Sequence, residues 1–112
     1  MREQDTGGKI LFMPSATGHQ SHPSLVPYGM TKAALRMLAK GLVGKLSQYG
    51  INVNAISPGA VLTERTMGDD PNFEESWGQA TPLGKPATVK DVANAALFLI
   101  SEKARHITGQ TL

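Results

Sequence analysis

The chain has 112 residues, no cysteine, and a net charge of +2 from eleven Lys and Arg against nine Asp and Glu. That length holds one small domain at most, and the near-balanced charge points to neither nucleic acid nor a membrane surface. Without cysteine there is no disulfide framework, zinc–thiolate site or thiol nucleophile, which fits a cytoplasmic protein, and no apolar run approaches the ~18 residues of a membrane helix.

Met1 to Thr6 is short and polar. Gly7-Gly8 reads as the end of a helix, because Gly is the usual residue just past one. Lys9-Ile10-Leu11-Phe12-Met13 follows, apolar at consecutive positions. That pattern predicts a strand covered on both faces, as in a parallel sheet with helices on each side. Ser15 to Pro27 is rich in Ser, His, Pro and Gly and reads as a loop. His19 and His22 lie three apart in it, but no Cys or carboxylate joins them at metal-ligand spacing, so they read as solvated loop residues. Ser15 stands where the strand gives way to this loop.

A long helix is expected from Tyr28 to Gln48. Leu35, Leu38, Leu42 and Leu46 line one face, and Ala33, Met37, Gly41 and Gly44 form a mostly small stripe beside them. Each Gly inside a helix costs about 1 kcal/mol against Ala. A compensating reason would be the close approach of another backbone, from the sheet or from a second subunit. Tyr28 and Lys32 are four apart, so both lie on one helix face. An ammonium beside a phenol favours the phenolate, and a phenol so tuned passes protons to and from a substrate oxygen near neutral pH. The pair alone also describes a partly exposed Tyr and a solvated Lys. Tyr49-Gly50 closes the helix.

Ile51 to Ser57 is the second strand. Pro58-Gly59 cannot continue it, and Ala60-Val61-Leu62-Thr63 completes the turn. In open α/β sheets, ligands lie beyond the carboxyl ends of the strands; Ser15 and the segment from Pro58 to Thr63 both fall there. Glu64 to Ala80 has mixed polarity, with Phe73 and Trp77 spaced for a short amphipathic helix. Thr81 to Pro86 is a loop. Thr88 is expected to cap a helix, with Asp91 three residues on in the manner of a capping box. Val92, Ala93, Ala96, Leu97, Leu99 and Ile100 would form its buried face. Ile107 to Leu112 begins a third strand.

Taken together, Ser15, Tyr28-Gly-Met-Thr-Lys32, the strand Ile51–Ser57 and Pro58-Gly59-Ala60-Val61-Leu62-Thr63 resemble the C-terminal half of the short-chain dehydrogenase/reductase family. Pro82-Leu83-Gly84-Lys85 followed by Asp91-Val92-Ala93 adds to the likeness, which runs from Gly7 to Leu112. The resemblance implies an α/β fold: part of a Rossmann-like, doubly wound parallel sheet, with about three strands and two main helices. It implies NAD or NADP as cofactor, a small alcohol or carbonyl as substrate, and Ser15, Tyr28 and Lys32 in the catalytic positions. Tyr28, Lys32, Pro58, Gly59, Val61 and Thr63 would meet the nicotinamide end of the cofactor, the Val61 backbone bonding the carboxamide. The Tyr28–Gln48 helix would pack against its copy in a homo-oligomer, and the segment after Thr63 would cover the substrate.

The resemblance further implies a domain truncated at both ends. The Gly-rich turn for the pyrophosphate, the residue that selects NAD or NADP, and the family's catalytic Asn have no counterpart here. The expectation is a C-terminal portion of one catalytic domain, marginal and inactive alone. A catalytically silent module that acts only by pairing with another copy is the alternative.

Overall fold

The computed structural model describes residues 1–112 throughout. A single turn of 3-10 helix, Arg2–Gln4, opens the chain. It is closed by Asp5 at φ 51° rather than by the glycine pair. Gly7, at φ +69°, crosses the equally left-handed Gly50: a Cβ on Gly7 would lie 2.6 Å from the Gly50 carbonyl oxygen. Gly8 is already the first residue of strand β1, Gly8–Phe12. β1 stops before Met13 because Pro14 has no N–H for a ladder, and the Met13 carbonyl instead accepts a bond from Lys32 Nζ at 2.9 Å.

Helix α1 spans Val26–Leu46, two residues earlier than expected at each end. Pro27 falls in its first turn, where a missing N–H leaves no intrahelical bond unmade. The end tightens into a 3-10 turn, Ser47–Tyr49, and Gly50 at φ 67° terminates it. β2 follows over Ile51–Ala55 and pairs with β1 in parallel, Gly8 opposite Ile51 through Phe12 opposite Ala55. The core lies between this pair and α1. Ala39, Ile51, Val53 and Ala55 are buried, with Ile10, Phe12, Leu42, Leu46 and Tyr49 packed around them. The small stripe of α1 does not serve this packing. Ala33, Met37, Gly41 and Gly44 are exposed, and a Cβ at Gly41 or Gly44 would meet nothing within 4 Å.

The segment after β2 is more structured than expected. β3, Val61–Leu62, lies within the anticipated turn, and two helices rather than one follow: α2, Glu64–Asp69, and α3, Phe73–Ala80. β4, Ala87–Thr88, pairs with β3 in parallel and leads into α4, Val89–Ile100. Of the face expected to be buried on α4, Leu99 is buried, whereas Leu97 is 61% and Ile100 44% exposed. A last 3-10 turn, Glu102–Ala104, carries the chain back to the sheet.

The expected third strand runs parallel to β2 with Thr111 opposite Ala55. It is held by backbone bonds from Gly109 N to the Val53 carbonyl at 2.7 Å, Ala55 N to the Gln110 carbonyl at 2.8 Å, Leu112 N to the Ala55 carbonyl at 3.1 Å and Ser57 N to the Leu112 carbonyl at 2.7 Å. Side chains add to this pairing. Asn54, buried, donates to the Ile107 carbonyl at 2.9 Å and accepts from Gln110 N at 3.1 Å. Asn52 donates to the carbonyls of Arg105 and Ile107, both at 3.1 Å, and Thr108 Oγ1 accepts from Val53 N at 3.0 Å. Strand residues alternate between faces, so Lys9, Asn52 and Asn54 look away from α1. Lys9 bonds Asn52 Oδ1 at 2.6 Å and pairs with Glu102 at 3.8 Å. The turn after α4 is thus held on the face opposite α1. Helices on both faces of a parallel sheet make this part of a doubly wound, Rossmann-like fold.

Candidate active site

Three segments meet beyond the carboxyl ends of β1 and β2. The first is the turn after β1. Ser15, in extended backbone at φ −163°, caps a turn of 3-10 helix, Ala16–Gly18. Its hydroxyl accepts from Thr17 N and donates to Thr17 Oγ1, both at 3.3 Å. These contacts are long, so the hydroxyl can turn to another acceptor at small cost.

The second is the first two turns of α1. The Tyr28 side chain is 43% exposed, and Lys32 Nζ stands 5.4 Å from its ring centroid, on the same side of the helix, as i, i+4 spacing requires. Lys32 also reaches back to the Met13 carbonyl, next but one to Ser15. The turn after β1 packs tightly on this helix through two glycines. A Cβ at Gly18 would lie 2.8 Å from Ala33 N, and one at Gly29 would lie 3.0 Å from the Thr17 carbonyl oxygen. Arg36 Nη1 donates to the Gly18 carbonyl at 3.0 Å. Ser15 is therefore held against the helix start that carries Tyr28 and Lys32.

The third is the segment Pro58–Thr63. The Pro58 carbonyl accepts from Ala16 N at 2.9 Å, which joins this loop to the residue after Ser15. Gly59 is exposed, with open space where a Cβ would be. Thr63 caps α2 in a reciprocal box with Thr66: Thr66 N donates to Thr63 Oγ1 at 3.0 Å, and Thr63 N to Thr66 Oγ1 at 2.9 Å. Thr66 Oγ1 also donates to the Val61 carbonyl at 3.0 Å. Thr63 is thus a structural cap as well as a site neighbour. The Thr-x-x-Thr spacing was the available signal for this box.

His19, read in sequence as a solvated loop residue, is exposed but has a side-chain partner. Its Nε2 is 3.0 Å from Ser57 Oγ, a second link between the turn after β1 and the end of β2. Desolvation, then the neighbouring Arg36 guanidinium, holds its pKa below the ordinary imidazole value. The signal lay in the loop composition, where His19 reads as one more solvated polar residue. A groove of about 610 Å³ lies at the other end of the strands among Met1, Ile10, Leu46, Tyr49 and Ile51, away from this convergence. No group of His, Cys, Asp and Glu forms a metal cluster, and no helix is long and apolar enough to cross a membrane.

A family model described as enoyl-(acyl carrier protein) reductase matches residues 1–112. Carbonyl reductase (NADPH) 2 of Sus scrofa is 33% identical over 114 residues, an alignment covering 100% of this chain and 47% of that protein. The 3-oxoacyl-(acyl-carrier-protein) reductase of Chlamydia muridarum is 35% identical, over 94% of this chain and 42% of its own length. The structure of ElxO with NADP bound superposes with a TM-score of 0.89 at 33% identity, covering 100% of this chain and 46% of that one. The chain spans about half the length of the curated relatives it matches. With a family model matching end to end and the same fold in relatives at this identity, the chain belongs to the short-chain dehydrogenase/reductase family of oxidoreductases.

Proposed function

We propose that these residues form the catalytic part of a nicotinamide-dependent oxidoreductase that interconverts a small alcohol and its carbonyl. The observation that carries the reading is the convergence of Ser15, the Tyr28–Lys32 pair and the Pro58–Thr63 loop at one end of the sheet, tied by the Ala16–Pro58 and Lys32–Met13 bonds. The names of two relatives, a carbonyl reductase and a 3-oxoacyl reductase, agree with it.

The donor set suits the nicotinamide end of NAD or NADP. A lysine ammonium has three N–H donors, and the Met13 carbonyl takes one of Lys32's; the others are available to a ribose. The open space at Gly59 lets a ring approach the backbone of Pro58, Gly59 and Val61, with Thr63 fixed beside it. When bound, the nicotinamide supplies or accepts the hydride. Ser15 donates a hydrogen bond to the substrate oxygen and holds it. Tyr28 gives that oxygen a proton in reduction and takes it back in oxidation. Lys32 places a positive charge beside the phenol and orients the ribose. Met67, Phe73 and Trp77, in α2 and α3, supply apolar cover for the substrate.

Self-association through α1 is part of the same proposal, supported by the exposed stripe of Met37, Gly41 and Gly44. A silent pairing module would use that stripe as well, so activity separates the two readings. The test is cofactor oxidation by a chain of full family length carrying these residues, offered small ketones. Ser15→Ala and Lys32→Ala are each expected to lower turnover about 10²-fold or more, the usual contribution of a positioned group in this chemistry. Turnover unaffected by either change would remove them from the mechanism.

A further inference from the structure

We infer that His19 is a positioning residue: through Ser57 it fixes the distance between the turn that carries Ser15 and the loop that runs from Pro58 to Thr63. The inference rests on the proposed catalytic reading for its consequence, but its geometry stands independently of it.

The ladder between β1 and β2 ends where Ile56 N donates to the Phe12 carbonyl at 3.0 Å. Beyond that bond the two chains are no longer held in register by the sheet, yet Ser15 and the Pro58 loop both lie beyond it. Ser57 is a fixed post, because its N–H donates to the Leu112 carbonyl at 2.7 Å. On the other side, the turn Ala16–Gly18 is seated on α1 by Gly18 and by the bond from Arg36. Two bonds close the remaining gap: Ala16 N to the Pro58 carbonyl at 2.9 Å, and His19 Nε2 to Ser57 Oγ at 3.0 Å. The first is a backbone bond. The second is a side-chain contact, which substitution can remove. Desolvation, then the Arg36 charge, favours the neutral imidazole, so Nε2 and the Ser57 hydroxyl can pair as one donor and one acceptor. Without that strap the Ala16–Pro58 bond alone would hold the loops, and a single bond beyond the end of the ladder opens readily.

The test reads the strap in two ways. Hydrogen exchange at the Ala16 amide, which reports the Ala16–Pro58 bond, is measured on the 112-residue chain. His19→Ala is expected to speed it about 2- to 10-fold, the factor one hydrogen bond is worth. Ser57→Ala should do the same, and the double change should add nothing further, since both remove one interaction. His19→Gln, which keeps a donor near the Nε2 position, should restore most of the protection. In a chain of full family length, His19→Ala should raise the KM for the nicotinamide cofactor by a similar factor and move kcat less. Unchanged Ala16 exchange in His19→Ala, or additive effects in the double variant, would overturn the strap. Should the isolated variants fail to fold, a KM unmoved in the longer chain overturns it equally. Normal turnover in Tyr28→Phe, by contrast, would refute the catalytic reading and leave the exchange result to stand by itself.

Discussion

Gly18 shows how much of the site depends on a side chain that is not there. Its Cα lies so close to α1 that an added methyl would sit 2.8 Å from both Ala33 N and the Lys32 carbonyl carbon. These are backbone atoms and cannot give way cheaply. Gly18→Ala is therefore expected to destabilise the chain by about 1–3 kcal/mol, the usual range for forced overpacking. Gly59→Ala, with open space around it, should change stability by less than about 0.5 kcal/mol. Urea denaturation midpoints of the two variants check the contrast. Ser15, Tyr28 and Lys32 stand out in the sequence as candidates because their types and spacing suit one chemistry. Gly18, His19 and Arg36 were not, because close approach and strapping depend on which segments meet in space. Composition marked their stretch only as a loop.

At the scale of elements, α4 shows the sequence at its most readable. Thr88 and Asp91 form the expected box: Thr88 N and Oγ1 donate to Asp91 Oδ2 at 2.8 and 2.6 Å, and Asp91 N donates back to Thr88 Oγ1 at 3.2 Å. Thr88→Ala should cost about 1 kcal/mol. The hydrogen bonds from the Thr88 side chain, then its backbone, hold the Asp91 pKa below the ordinary carboxylate value. A pKa lower in the folded than the unfolded chain means the unfolded state binds more protons as pH falls. The contribution is therefore fully present above about pH 4 and is lost on acidification below it. The helical signal of Asp91→Asn should be less sensitive to acid in that window than that of the unaltered chain, as circular dichroism would show. The third strand was legible in part. Ile107 to Leu112 has strand composition and pairs with β2 through backbone bonds, but the further bonds from Asn52, Asn54 and Thr108 were not foreseen. Polar side chains in a buried strand can pair with backbone as well as with each other, and spacing alone does not choose between them. In α1, the expected helix was right and its start was wrong, since Pro27 opens a helix as readily as it precedes one.

For the whole molecule, large apolar side chains remain on the surface: Leu83 is 86%, Met30 69%, Met37 68% and Leu97 61% exposed. Apolar surface of this extent drives association, and the 112-residue chain is expected to self-associate in light scattering. Cofactor binding should be weak for a different reason. Neither α2 nor α4 begins in a Gly-rich turn after a strand, the arrangement in which free backbone N–H groups cradle a diphosphate. Contacts remote from the reacting ring contribute much of the binding that holds it in place. Calorimetry of these 112 residues with NAD and with NADP should show no tight binding, and micromolar affinity in a monomer would contradict this. The fold as a whole was legible because consecutive apolar strands, a long helix and turn residues at strand ends point to one architecture. The β3–β4 pairing was not, because two-residue strands are set by tertiary contact rather than by pattern. The proton-transfer role proposed for Tyr28 carries the proposed function. It is tested most directly by turnover of Tyr28→Phe in a chain of full family length carrying these residues. A fall of at least about 10²-fold with the fold intact is the result expected for losing a positioned acid/base, and near-normal turnover would contradict it.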